Sequence, residues 1–211
     1  MTTKINQLKL PHFNFKKLDF QGAFKKLIDL IKLDKKAIAA VSSSDKFTTP
    51  ALIFLVIGSI AGPVGGMFHV SQTISLVGNA AYSSFVASAV IGVIVSALAI
   101  YIASFVAVKL FNGKGTFEEF FRVIGLCMGV KILDFFVAFI PVIAGIVSLV
   151  ILVWLIVIIF ITIKDIFKLD EANTVLTMLV AGVIVLVIGG ILSATNVPVR
   201  SANLGPISIT Y

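Results

Sequence analysis

Metal ligands and nucleophiles are scarce in this chain. Its one cysteine, Cys127, stands inside an apolar run, so there is no disulfide framework and no cysteine-based metal site. Its two histidines, His12 and His69, lie far apart, on what the apolar runs make opposite sides of a membrane. That argues against a histidine metal centre. No Ser/His/Asp set falls within one layer, no H-E-x-x-H occurs, and no pair of membrane aspartates of the intramembrane-protease kind is present. An enzyme site is therefore not expected, nor a cofactor, and a binding or scaffold role is. A cleavable leader is not expected either, because the first 49 residues lack an early apolar core followed by small residues. Charge is sparse too, at 13% of residues.

What fills the space is hydrocarbon. Apolar residues make up 59% of the 211 and mean hydropathy is +1.12. One soluble core of this length does not hide so much apolar surface, so lipid must be the solvent for most of the chain. The formal net charge of +7 would suggest nucleic acid in a soluble protein. Here the lysines flank apolar runs and act as topology signals, so no nucleic-acid partner is expected.

Five apolar runs follow a polar start, at about 50–70, 84–111, 120–140, 141–163 and 174–195. Each reaches the roughly 20 residues that a helical span needs. Lipid offers bare backbone no hydrogen bonds, so all five are expected to be helices. The third and fourth, parted only by Pro141, predict a tight helical hairpin. The fold class is thus an all-α membrane protein with five transmembrane helices. Three parts result: a cytosolic arm over 1–49, a five-helix membrane domain over 50–196, and a non-cytosolic tail over 197–211. Ten lysines precede Pro50, and Lys109, Lys114, Arg122, Lys164 and Lys168 occupy the loops on that same side. The opposite side receives only Arg200, which places the amino terminus in the cytosol and the carboxyl terminus outside or in a lumen. Within the arm, Phe20, Phe24, Leu27, Ile28 and Ile31 recur at helical spacing, predicting an amphipathic basic helix over about 20–41. Its apolar face either lies on an anionic membrane surface or packs on the protein's own helices.

The stretch Asn112–Asp134 concentrates the local signals. Thr116 and Glu119 have the T-x-x-E spacing of a capping box, which satisfies amides left unpaired at a helix start. Gly113-Lys114-Gly115-Thr116 is not a nucleotide loop, since a P-loop has Ser or Thr directly after its lysine and a glycine five positions earlier. Lys131 and Asp134, three apart, are expected to meet on one helix face as an intramembrane polar pair. Charges at that depth cost on the order of 3 kcal/mol each on insertion scales. The pair is read either as a self-neutralising contact that sets helix rotation or as part of a permeation path. Gly58, Gly62 and Gly66, and likewise Ser88, Gly92 and Ser96, repeat at four-residue spacing. Small residues so placed let helices approach closely, within the chain or between copies. Trp154 lies mid-run, away from the interfacial zone, and is expected to pack against another helix.

The order of segments resembles the Yip (Ypt-interacting protein) family. The likeness is carried by Leu33-Asp34-Lys35-Lys36-Ala37-Ile38 before the first run and by the glycine-rich turn Asn112–Phe117. Phe120-Phe121-Arg122-Val123-Ile124-Gly125, Trp154 in the fourth run and the polar loop from Lys164 to Ala172 complete it. This resemblance implies five spans, a role in vesicle trafficking for eukaryotic members, and homo- or hetero-oligomers with other membrane proteins. The Asp-Leu-Tyr-Gly-Pro motif of the eukaryotic amino-terminal domain is missing here, so a prokaryotic member in the cytoplasmic membrane fits better than a Golgi or ER protein. The function so read is a membrane-organising or partner-binding scaffold, in contact with anionic lipids at the cytosolic face. The alternative is a subunit of a small-solute or ion transporter using Lys131 and Asp134.

Overall fold

The computed structural model describes residues 11, 13, 15, 18–71, 78–137 and 139–194, with side chains left out at 62–63, 65–85, 141–142 and 193–194. The expected tail over 197–211 and most of the arm before Leu18 lie outside the described residues, as do side-chain surroundings at Gly62 and Gly66. Every regular element described is helical.

Helix α1 spans Phe20–Ile31, capped by Asp19, whose Oδ1 accepts from the Gly22 amide at 2.8 Å. The expected single helix over about 20–41 is in fact two. Leu33 turns left-handed at φ 59°, and Asp34 caps a new helix, α2, over Lys35–Ser42 by accepting from the Lys36 amide. The physical reason is the competition between a continued helix and an Asx cap that lets Ala37, Ile38 and Val41 bury separately from Ala23, Leu27 and Leu30. A 3₁₀ turn at Asp45–Phe47 leads into α3, Thr48–Ser71. Helix α4 spans Gly78–Lys109 and α5 spans Phe117–Cys127. A second 3₁₀ turn, Met128–Lys131, precedes the short α6, Ile132–Val137. Pro141 opens α7, which runs to Phe167, and α8 covers Glu171–Ala194.

Among the described residues, five helices able to cross a membrane are not found. Three are long and apolar enough to cross a membrane: Val86–Lys109 within α4, Ile143–Phe167 within α7, and Glu171–Leu192 within α8. A fourth is counted among the described residues if α2 and the start of α3, bent by 91°, are one broken span. The run expected to cross at 120–140 breaks instead into 11 helical residues, a four-residue 3₁₀ turn and six more helical residues. Its apolarity serves a different end. Every residue of α5 except Glu118 and Glu119 is buried, because α2, α3, α4 and α7 surround it. An apolar run of this kind is explained by enclosure in protein as well as by lipid.

Close backbone approach holds this core together. A Cβ at Gly58 would lie 2.0 Å from the Met128 carbonyl oxygen, so only glycine lets α3 meet the 3₁₀ turn there. On the adjacent face Gly92 of α4 sits near the Ser59 carbonyl, and Ser59 Oγ bonds Ser96 Oγ at 3.0 Å. Helix α8 packs along α4, while Phe120 and Phe167 bring α5 and α7 together with ring centres 5.4 Å apart.

Candidate functional site

The polar chemistry gathers where α2, α5 and the end of α7 meet. Thr116 Oγ1 accepts from the Glu119 amide at 3.3 Å, and Glu119 Oε2 accepts from the Thr116 amide at 2.9 Å. This reciprocal box starts α5 at a defined point. The turn before it is tied to α7 by the Lys114 amide, which donates to the Phe167 carbonyl at 2.9 Å. A Cβ at Gly115 would fall 2.6 Å from both the Ile166 carbonyl oxygen and its side chain, so the glycine permits that crossing.

Two turns inside α5, Arg122 is buried with 6% of its side chain exposed. Its Nε donates to Thr48 Oγ1 at 2.9 Å and one terminal nitrogen donates to the Ser42 carbonyl at 2.6 Å. The other terminal nitrogen pairs with Asp45 and with Glu118, the latter at 3.1 Å. One guanidinium thus ties together α2, the first 3₁₀ turn, α3 and α5. Reading the sequence by side of membrane counted Arg122 as a loop charge and missed this role. The signal available was Glu118 four residues earlier on the same helix face, an i,i+4 acid partner for the one basic residue of the helix.

Beside this tie lies an open cavity of about 620 Å³, lined by Lys35, Ala39, Ser42, Lys114, Asp165 and Lys168, with Glu119 and Gly115 also on its wall. Lys168 reaches it from the left-handed residue, φ 56°, that ends α7. Three amino groups from three separate elements therefore share one space with two carboxylates, one of them already engaged in the Thr116 cap.

The other residues singled out by sequence lie elsewhere. Lys131 ends the second 3₁₀ turn and Asp134 begins α6. Among the described residues no ion pair joins them. Asp134 Oδ1 instead accepts from Ser148 Oγ of α7 at 3.0 Å. The Ser148 hydroxyl, brought alongside by α7, takes the carboxylate that the i,i+3 spacing offered to Lys131. Ser88, Gly92 and Ser96 lie on α4. Trp154 of α7 donates its indole N–H to the Ile31 carbonyl at 3.0 Å, anchoring the last turn of α1. Among the described residues no group of three or more His, Cys, Asp and Glu side chains is placed to hold a metal ion.

The Yip1 domain family model matches residues 34–193, from the Asp34 cap of α2 almost to the end of α8. No curated protein and no solved structure matches the chain. The matched region contains the Arg122 tie, the capped turn, the cavity and all three long apolar helices, and on that match this integral membrane protein belongs to the Yip family.

Proposed function

We propose that this protein is a non-enzymatic membrane scaffold that binds partner membrane proteins, or further copies of itself, through its apolar helices. Its basic end faces the cytosol and the anionic lipids there, in the cytoplasmic membrane of a prokaryotic cell. The observation that carries the reading is the bare flank of α8. Only 11% of its apolar stretch is buried, and Leu179, Val183, Leu186 and Val187 form one exposed stripe at i, i+4, i+7 and i+8. Ile146, Leu149, Val150 and Val153 extend the apolar surface on α7. In lipid, helix association rests on packing and on interhelical hydrogen bonds rather than on removal of apolar surface from water, so a long uncovered helix is available to a partner. The polar side chains that the sequence does spend, Arg122 foremost, support this reading by tying one end of the fold together, leaving the flank to do the binding.

The test is cysteine crosslinking in native membranes, with Cys127 buried and so contributing little background. L179C and L186C, each labelled with a benzophenone maleimide, are expected to photocrosslink to a discrete second polypeptide. Monomer alone at both positions, in membranes where the protein is natively expressed, refutes the scaffold reading.

A further inference from the structure

The cavity between α2, the 112–116 turn and the end of α7 has the makings of a ligand site. We propose that it binds a phosphate group, carried either by an anionic lipid headgroup or by a soluble phosphate ester. Lys35, Lys114 and Lys168 enter from three different elements, so their common wall is a product of tertiary packing and not of one lysine-rich run. Against them stand two carboxylates. Glu119 is committed to the Thr116 amide, and Asp165 remains to meet a hydroxyl or ammonium on the same headgroup. The lining is therefore net positive by one formal charge, three lysines against two acids, and is amphoteric as a substituted phosphate requires. A volume of about 620 Å³ has room for more than a bare phosphate and falls in the range of small-molecule sites.

Position adds a second argument. The cavity lies where the apolar parts of α4 and α7 end, at Lys109 and Phe167, which is the level of lipid headgroups. Basic pockets at that level take phosphate headgroups, whereas a cation would meet the repulsion of three lysines. The rigid back wall, where Gly115 presses on Ile166, keeps the cavity shape from depending on the lysines alone.

The experiment uses the full chain in mild detergent, with lipid retention read by native mass spectrometry during titration with phosphatidylglycerol, whose headgroup hydroxyls suit Asp165, or with zwitterionic phosphatidylcholine. Wild type is expected to retain phosphatidylglycerol preferentially. Each of K35Q, K114Q and K168Q is expected to weaken retention roughly fivefold, about the worth of one basic side chain beside an anionic lipid surface. K25Q/K32Q in α1, equal in charge removed to any two of these, is expected to leave retention unchanged. A39W fills the cavity while keeping every charge, so it guards against misfolding of the lysine variants and is expected to abolish retention. Displacement of the lipid by millimolar inorganic phosphate assigns the site to soluble phosphates; persistence assigns it to a lipid headgroup. Equal retention by folded A39W and wild type, or equal loss in the α1 control, overturns the proposal.

Discussion

Arg122 shows how one residue organises an end of this fold. Its guanidinium satisfies a carbonyl, a hydroxyl and two carboxylates from planar donors that lysine cannot reproduce. The two acids are unequal partners, since Asp45 is 89% exposed and Glu118 only 30%. Water can take over the exposed carboxylate, so most of the loss on deleting Arg122 comes from the orphaned Ser42 carbonyl, Thr48 hydroxyl and the cavity left behind. R122A is expected to destabilise by about 3 kcal/mol, and R122K by about 1–2 kcal/mol because one amino group replaces a fork. D45N is expected to have the smallest effect of the three. Thermal unfolding in detergent gives the ranking, and an R122K as stable as wild type would refute the multidentate tie. At the cap, T116A removes the hydroxyl that accepts the Glu119 amide and is expected to cost about 1 kcal/mol. That box was legible in the sequence because a cap is a local device, closed within four residues. Arg122's role was not, because Ser42 and Thr48 lie 80 and 74 positions away.

Among elements, glycine has two meanings that sequence spacing does not separate. Gly58 meets the Met128 carbonyl backbone to backbone, where neither atom belongs to a flexible side-chain end. G58A is expected to force α3 from the 3₁₀ turn and to destabilise by about 1–3 kcal/mol, the range of overpacked cores. Gly182 on α8 meets nothing within 4 Å of a built Cβ, so G182A is expected to be neutral or to stabilise by up to about 1 kcal/mol through helix propensity. Equal losses for the two variants in a denaturation series would refute the α3–3₁₀ contact. Helix α1 shows the same division between pattern and placement. Its period was readable, and the structure gives both of its expected uses a surface: Ala23, Leu27 and Leu30 are buried, while Phe20, Phe24 and Ile28 stay exposed. The break at Leu33 was not readable from apolar spacing. A leucine in the left-handed region goes against its own preference and is held there by the capped helix that follows.

For the whole molecule, the two turns after α4 and α7 are joined at one end by the Lys114–Phe167 backbone bond. Their lysines must therefore share a side of the membrane. K114C and K168C are expected to react with a membrane-impermeant maleimide in inside-out vesicles and to be shielded in right-side-out ones; labelling of the two from opposite sides would break the fold itself. Composition alone determined that this chain lives in lipid and is built of helices, because hydropathy is a sum over neighbours and backbone in hydrocarbon has to bond within its own segment. The family was legible for a similar reason, in short runs such as those around Asp34 and Thr116. Only the tertiary structure decided that the 120–140 run opens as a wrapped core helix, passes through a 3₁₀ turn and is not among the helices long and apolar enough to cross. It also decided that Lys131 and Asp134 stand without a shared ion pair, and that lysines at 35, 114 and 168 face one cavity. Apolarity says that a segment avoids water. Whether lipid or protein surrounds it depends on which helices arrive beside it, and that is settled by packing across the whole chain.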